Sequence, residues 1–264
     1  MTELPTELPA VIGHRGAAAH APENTLASIR RAAMLGVKWV EFDAKLTADG
    51  RCIVFHDDKL DRTTDGRGRV AATTYDDISR LDAGSWFAPG FAGERVPRLE
   101  DALGQILELG LQADIEIKPC SGREAETARA VMAEVMACWP RDRPPPLITS
   151  RRAVCLEVAR AAAAAWPRGL ICLRLPRDWR ARLAALDCRI LVCRHNRLTR
   201  HRVAEMTAAG VQVLAFTVNE PRRAAELVDR GVATIISDAP DRVLPAVGGE
   251  DAAKARNPER TPSL

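Results

Sequence analysis

The sequence predicts an α/β fold, a (β/α)8 TIM barrel with a small insertion after the second strand. Three observations carry this. Short apolar runs alternate with helical segments, which implies parallel strands joined by crossover helices. About eight such units fit in the 264 residues, the size of a barrel of this kind. The structural alternative, a doubly wound open sheet, lacks its usual mark, since no GxGxxG follows the first strand.

The elements follow in order. Ala10–His14 is a short apolar run and the first strand. Asn24–Leu35 is helical, with Asn24 or Thr25 as N-cap and Gly36 as its stop. Lys38–Lys45 and Cys52–His56 read as strands. Residues 57–98 are dense in Asp, Gly, Thr and Arg, with turn signals at Asp65-Gly66 and Pro89-Gly90. That stretch is too long for a βα loop, so it is the insertion, lying over one end of the barrel. Strand Ala113–Lys118, helix Glu124–Cys138, strand Leu147–Ser150 and helix Ala153–Ala165 come next. Strands Leu170–Leu175, Ile190–Cys193, Val211–Val218 and Thr234–Ser237 then alternate with helices Asp178–Leu186, Thr199–Ala209 and Pro221–Asp229. The barrel is expected over 9–247, with 57–98 inserted in it. Residues 248–264 mix small and charged residues with prolines and are expected to form a disordered tail.

Composition excludes several function classes. With 47% hydrophobic and 28% charged residues, the chain is of ordinary globular type. A net charge of +3, spread along the chain, is no footprint for nucleic acid. The longest stretch without a charge, Met206 to Asn219, has 14 residues, below the ~18–20 that span a bilayer. No stable membrane association is expected. Met1–Pro9 has neither a basic nor an apolar segment of the kind a signal peptide needs. The seven cysteines form no CxxC pair, and Cys52, Cys138, Cys155 and Cys172 sit in apolar runs. They read as small buried hydrophobes in a reducing compartment, which places the protein in the cytoplasm.

Catalytic groups of a barrel come from the C-terminal ends of its strands. Here those ends carry Gly13-His14-Arg15-Gly16, Glu41-Phe42-Asp43, His56-Asp57-Asp58, Glu116-Ile117-Lys118 and Phe216-Thr217-Val218-Asn219. Side chains alternate along a strand, so Glu41 and Asp43 point together, with Val40 and Phe42 opposite. Glu116 and Lys118 likewise share a face, opposite Ile115 and Ile117. One such carboxylate would serve equally well in a structural ion pair. Three converging on a barrel mouth repel one another unless a cation joins them. Glu41, Asp43 and Glu116 offer hard oxygen ligands without cysteine or paired histidine, which suits Mg²⁺ or Ca²⁺ rather than zinc.

His14 and His56 each directly follow a strand run, and histidine titrates near neutral pH. Two histidines on either side of a reacting phosphorus can act as base and acid. His20, His195 and His201 are taken as ordinary hydrogen-bonding residues, with His195 the nearest of them to the mouth. Asp57 and Asp58 are read as solvated loop residues, either of which could orient a histidine. Arg15 and Lys118 supply fixed positive charge for a phosphate. No serine, threonine or cysteine stands beside the histidines as a protein nucleophile. These parts specify metal-assisted displacement at phosphorus.

In this order the residues resemble the glycerophosphodiester phosphodiesterase family, and most closely its bacterial cytoplasmic branch. The carriers are His14-Arg15-Gly16, Pro22-Glu23-Asn24-Thr25, Glu41-Phe42-Asp43, His56-Asp57, Glu116-Ile117-Lys118 and Thr217-Val218-Asn219, with Asp82-Ala83-Gly84-Ser85-Trp86 in the insertion. The resemblance implies hydrolysis of glycerophosphodiesters, such as glycerophosphocholine or glycerophosphoethanolamine, to glycerol 3-phosphate and an alcohol. It implies Glu41, Asp43 and Glu116 as ligands of the divalent cation, His14 and His56 as the catalytic pair, and Arg15 and Lys118 as phosphate holders. One histidine takes the proton of the glycerol 2-hydroxyl, which attacks phosphorus, and the other protonates the leaving alcohol. Water then opens the cyclic phosphate. The sequence leaves open which histidine begins as base. The chain has Ser150-Arg151 where the family often has Ser-Phe, and Phe216 where it often has Trp; both positions shape the wall that meets the alcohol. Two other functions are compatible with the same parts: a phospholipase-like lyase that stops at the cyclic product, and a barrel that binds phosphodiesters without cleaving them.

Overall fold

A computed structural model describes residues 8–248. The expected tail, apart from Gly248, lies outside the described residues. In chain order the strands are β1 (Val11–His14), β2 (Trp39–Leu46), β3 (Cys52–Val54), β4 (Gln112–Ile117), β5 (Leu147–Ser150), β6 (Arg168–Cys172), β7 (Ile190–Arg194), β8 (Gln212–Phe216) and β9 (Thr234–Ser237). The helices are α1 (Leu26–Met34), α2 (Tyr75–Ile78), α3 (Leu99–Glu108), α4 (Glu124–Cys138), α5 (Ala153–Ala162), α6 (Trp179–Leu186), α7 (Arg200–Ala208), α8 (Pro221–Asp229) and α9 (Pro240–Val247). All strands but β3 run parallel, and β1 pairs with both β2 and β9, so eight strands close on themselves. This is the (β/α)8 barrel.

The run at Cys52 is not a barrel stave. β3 pairs antiparallel with the end of β2, Ala44 opposite Val54 and Leu46 opposite Cys52. The reason is connection length. Only the turn around Asp49-Gly50 separates the two strands, and a parallel pair needs a crossover of roughly a dozen residues. Three helices had no counterpart in the sequence reading: α2, a single turn inside the insertion, and α3 and α9. α3 buries Leu99, Ala102, Leu103 and Ile106, a full helical period that adjoins the turn-rich insertion. At α1 the N-cap is Thr25, whose hydroxyl accepts from the Ser28 N–H; Asn24 has another task.

Three apolar layers hold these elements. Inside the barrel Ile12, Trp39, Leu147, Ile190, Val192, Leu214 and Ile236 fill its lower part. Val40, Phe42, Ile115 and Ile117 face the other way, into the large core between strands and helices. Each such side chain contributes about 1.5–3 kcal/mol by leaving water. The insertion has a small core of its own, in which Leu60, Val70, Ile78 and Val96 pack on Ile53, Phe55 and Cys120. Six of the seven cysteines are buried and all are free thiols. Among the described residues no helix is long and apolar enough to cross a membrane.

Candidate active site

Strand register brings the predicted residues together. His14 lies opposite Glu41 across β1 and β2. Across β2 and β4, Glu41 lies opposite Asp114 and Asp43 opposite Glu116. Because the outward positions are claimed by the apolar core, the alternation sends Glu41, Asp43, Asp114 and Glu116 inward. Lys118 continues that inward row past the end of β4. A cavity of about 130 Å³ results, lined by His14, Arg15, Glu41, His56, Glu116 and Lys118 among others.

Glu41, Asp43 and Glu116 each place a carboxylate oxygen within 4.8 Å of the other two, and all three are buried. Lys118 Nζ donates to Asp43 Oδ1 at 3.0 Å and to Glu116 Oε2 at 3.2 Å. The Arg15 backbone N–H donates to Glu41 Oε2 at 3.0 Å, and its Nε stands 3.4 Å from Asp43 Oδ2. Asn24 clamps Asp43 from the remaining side: its Nδ2 donates to Oδ2 at 2.8 Å, while its Oδ1 accepts the Asp43 N–H at 3.2 Å. Arg15 and Asn24 both take a left-handed backbone, φ 50° and 58°, so the loop that delivers them carries local strain.

Burial and the neighbouring Asp43 push the Glu41 carboxyl up to about 8, and burial with Asp43 pushes Glu116 up to about 7. Burial acts on Asp43 in the same sense, but Lys118 and Arg15 overcome it and hold this carboxyl well below the usual range. So one member of the trio stays ionised while the other two retain protons near neutrality. Three buried oxygen donors that repel one another when ionised fit a hard divalent cation. Asp114 lies one inward position below Glu116; its Oδ1 accepts from the Thr149 hydroxyl at 2.7 Å, and burial pushes it up to about 7.

Each histidine is held by a carboxylate. His14 Nδ1 is 2.6 Å from Asp238 Oδ1, and its Nε2 is 3.8 Å from Glu41 Oε2. Asp238 is fixed in turn by Asn219, which donates to Oδ2 at 2.8 Å and accepts the Asp238 N–H at 2.9 Å. His56 Nδ1 is 2.5 Å from Asp57 Oδ1. An ionised carboxylate only accepts, so Nδ1 carries the proton on both rings and Nε2 is left with the lone pair. Burial, Arg15 and Lys118 lower the His56 pKa, against Asp43 and Asp57.

Asp57 is therefore no solvated loop residue: it also accepts from Arg62 Nε at 2.7 Å and Nη2 at 3.0 Å. Arg62 reaches on to Glu23 with both Nη atoms at 2.8 Å, and Glu23 accepts from Arg15 Nη1 at 2.5 Å. A continuous chain of charge thus joins His56 to Arg15. Asp58 instead accepts from the buried Lys45 at 2.7 Å. His20 pairs with Asp241 at 2.6 Å, and His195 does not line the cavity.

Sequence reasoning did not single out Asp114, Asp238 or Arg62, and it gave Glu23, part of a motif, no role. Strand alternation from Glu116 was the signal for Asp114, and the end of the last strand the signal for Asp238. Arg62 stands in the insertion, where no periodicity shows what a side chain will meet.

Comparison with known proteins points to one family. A sequence profile of the glycerophosphoryl diester phosphodiesterase family matches residues 14–242. YhdW of Bacillus subtilis, to which glycerophosphodiester phosphodiesterase activity is attributed, is 30% identical over 239 residues, 89% of this chain and 96% of that protein. A glycerophosphodiester phosphodiesterase of Caldanaerobacter subterraneus is 45% identical over 108 residues, 41% of this chain and 44% of that one. An Oleispira antarctica phosphodiesterase, solved in complex with its product sn-glycerol-3-phosphate, superimposes with a TM-score of 0.89. It is 39% identical, over 92% of this chain and 98% of the other.

Proposed function

The chain belongs to the glycerophosphoryl diester phosphodiesterase family, and on that footing we propose that it hydrolyses glycerophosphodiesters, such as glycerophosphocholine or glycerophosphoethanolamine, to glycerol 3-phosphate and an alcohol. One observation carries this reading: a buried trio of carboxylates faces two histidines, each ring oriented by its own carboxylate, around one cavity. The free thiols support a cytoplasmic site of action.

Glu41, Asp43 and Glu116 would hold the divalent cation, which supplies Lewis acidity toward a phosphoryl oxygen. Arg15 and Lys118 hold the phosphate. His14, with its Nε2 lone pair turned toward Glu41, takes the proton of the glycerol 2-hydroxyl. The hydroxyl oxygen bonds to phosphorus, the bond to the alcohol oxygen breaks, and His56 gives that oxygen its proton. His56 suits the second role because it lines both the inner cavity and the open groove beside it, where the alcohol departs. The anionic diester offsets the charges of Arg15 and Lys118 that lower the His56 pKa, so bound substrate favours the protonated ring. In the second half His56 takes a proton from water, water opens the cyclic phosphate, and His14 returns its proton to the 2-oxygen.

The test is ³¹P NMR of glycerophosphocholine incubated with the protein and Mg²⁺ or Ca²⁺. Glycerol 3-phosphate is the expected product. A cyclic phosphate that accumulates without opening would make the protein a lyase, and binding without turnover of any diester would make it a binding barrel.

A further inference from the structure

The inner cavity does not end at the catalytic residues. At His56, Glu116, Lys118 and Arg151 it meets a second, more open groove of about 230 Å³, which adds Asp58, Ser150 and Arg152. The inner side is walled by Ile171, Val192, Phe216 and Ile236, a fit for the uncharged glycerol carbons. The outer groove starts at His56, where the alcohol leaves.

Most charges of that groove are already matched. Lys118 is bonded to Asp43 and Glu116, and Asp58 to Lys45. Arg151 and Arg152 are not: among the described residues neither guanidinium has a hydrogen-bond or ion-pair partner. Position explains why Arg151 reaches the groove. It follows Leu147 and Thr149 on the inward row of β5, and Thr149 lies opposite Glu116, so Arg151 comes beside Lys118 at the lip. Two strands on, β7 ends in the exposed Arg194, which continues the inward row of Ile190 and Val192.

We propose that the preferred alcohol is anionic, carrying a carboxylate or phosphate that Arg151 and Arg152 receive, and that cationic alcohols such as choline are disfavoured. This rests on the phosphodiesterase reading and narrows its substrate class. Guanidinium groups without partners attract an anion by charge and by paired N–H donors, and repel a quaternary ammonium.

Glycerophosphoserine and glycerophosphoethanolamine differ by one carboxylate, so their kcat/KM ratio on the cation-loaded enzyme reads the groove alone. At low salt the wild type should favour the serine diester about fivefold, the upper range of one exposed ion pair. The preference should shrink with added salt. Arg151→Gln, checked by thermal melt for an intact fold, should lower the ratio, Arg151→Gln with Arg152→Gln should bring it near one, and Arg151→Lys should keep part of it. A diester whose alcohol bears a phosphate tests the second anion and should be preferred in the same way. A wild-type ratio of one or below, or a serine preference untouched by Arg151→Gln, overturns the inference and leaves the phosphodiesterase reading standing. Failure to cleave any of these diesters overturns that reading instead.

Discussion

Two substitutions at Asp238 separate orientation of His14 from its tautomer. The carboxylate accepts on both sides, from His14 Nδ1 at 2.6 Å and from Asn219 Nδ2 at 2.8 Å. Asn219 cannot turn over to help, because its Oδ1 already accepts from the Asp238 N–H at 2.9 Å and the Ser237 hydroxyl at 3.0 Å. Asp238→Ala removes the acceptor, but the site is 27% exposed, so water can take the Nδ1 proton's hydrogen bond. The loss is then that of one hydrogen bond to a charged group, about 1.5–3 kcal/mol, or roughly 10–150-fold in kcat/KM. Asp238→Asn is nearly isosteric and should be worse. Its amide has one oxygen for two donors. With the oxygen on Asn219, the amide N–H₂ faces His14 Nδ1 and moves the ring proton to Nε2, which abolishes the base. General-base catalysis is worth about 10²–10⁴-fold. Steady-state release of glycerol 3-phosphate measures both variants, with thermal melts to check folding. An Asp238→Asn enzyme faster than Asp238→Ala, or either one near wild-type rate, refutes the role given to Asp238.

Three further outcomes follow from the buried carboxylates. Because a cation must displace protons from Glu41 and Glu116, held up to about 8 and 7, its affinity should rise with pH by up to about tenfold per unit for each proton expelled, flattening above pH 8; calorimetric titration with Mg²⁺ or Ca²⁺ at several pH values checks this. Without the cation, the folded protein keeps a proton on Glu41 that the unfolded chain has lost. The stability from Glu41 is therefore complete below about pH 4.5 and fades as pH rises through about 8. Asp43, held low, works in the opposite sense and loses its contribution as pH falls below the usual carboxylate range, so cation-free melts should peak near pH 5. Glu41→Gln removes one of the repelling charges; at pH 8 it should raise the cation-free Tm by about 2–4 °C, the equivalent of roughly 1 kcal/mol, and should abolish the rise in Tm that a divalent cation gives. Full activity in excess chelator would remove the cation from the mechanism.

The site was legible where its chemistry coincides with strand alternation. Glu41 with Asp43, and Glu116 with Lys118, follow from a period of two in which Val40, Phe42, Ile115 and Ile117 are needed by the core. The same rule would have reached Asp114. The barrel was legible from its repeated units and β3 as a strand, but an apolar run does not state which direction it pairs. What strand periodicity cannot give is a contact between distant irregular segments. Arg62 joins Asp57, one residue after His56, to Glu23, 39 positions away, and through it to Arg15. That bridge links His56, proposed as a catalytic group, to Arg15, proposed to hold the phosphate, and it also pins the insertion to the loop after β1. Arg62 is about half-exposed, so each of its pairs is weak alone, about 1 kcal/mol at most. Its four hydrogen bonds nevertheless hold two carboxylates that otherwise repel each other across the mouth. Arg62→Ala should therefore raise KM by about fivefold and leave the global Tm nearly unchanged, while amide exchange speeds up within 57–98. Unchanged KM and unchanged exchange would show that the insertion's own core of Leu60, Val70, Ile78 and Val96 holds it in place without this bridge.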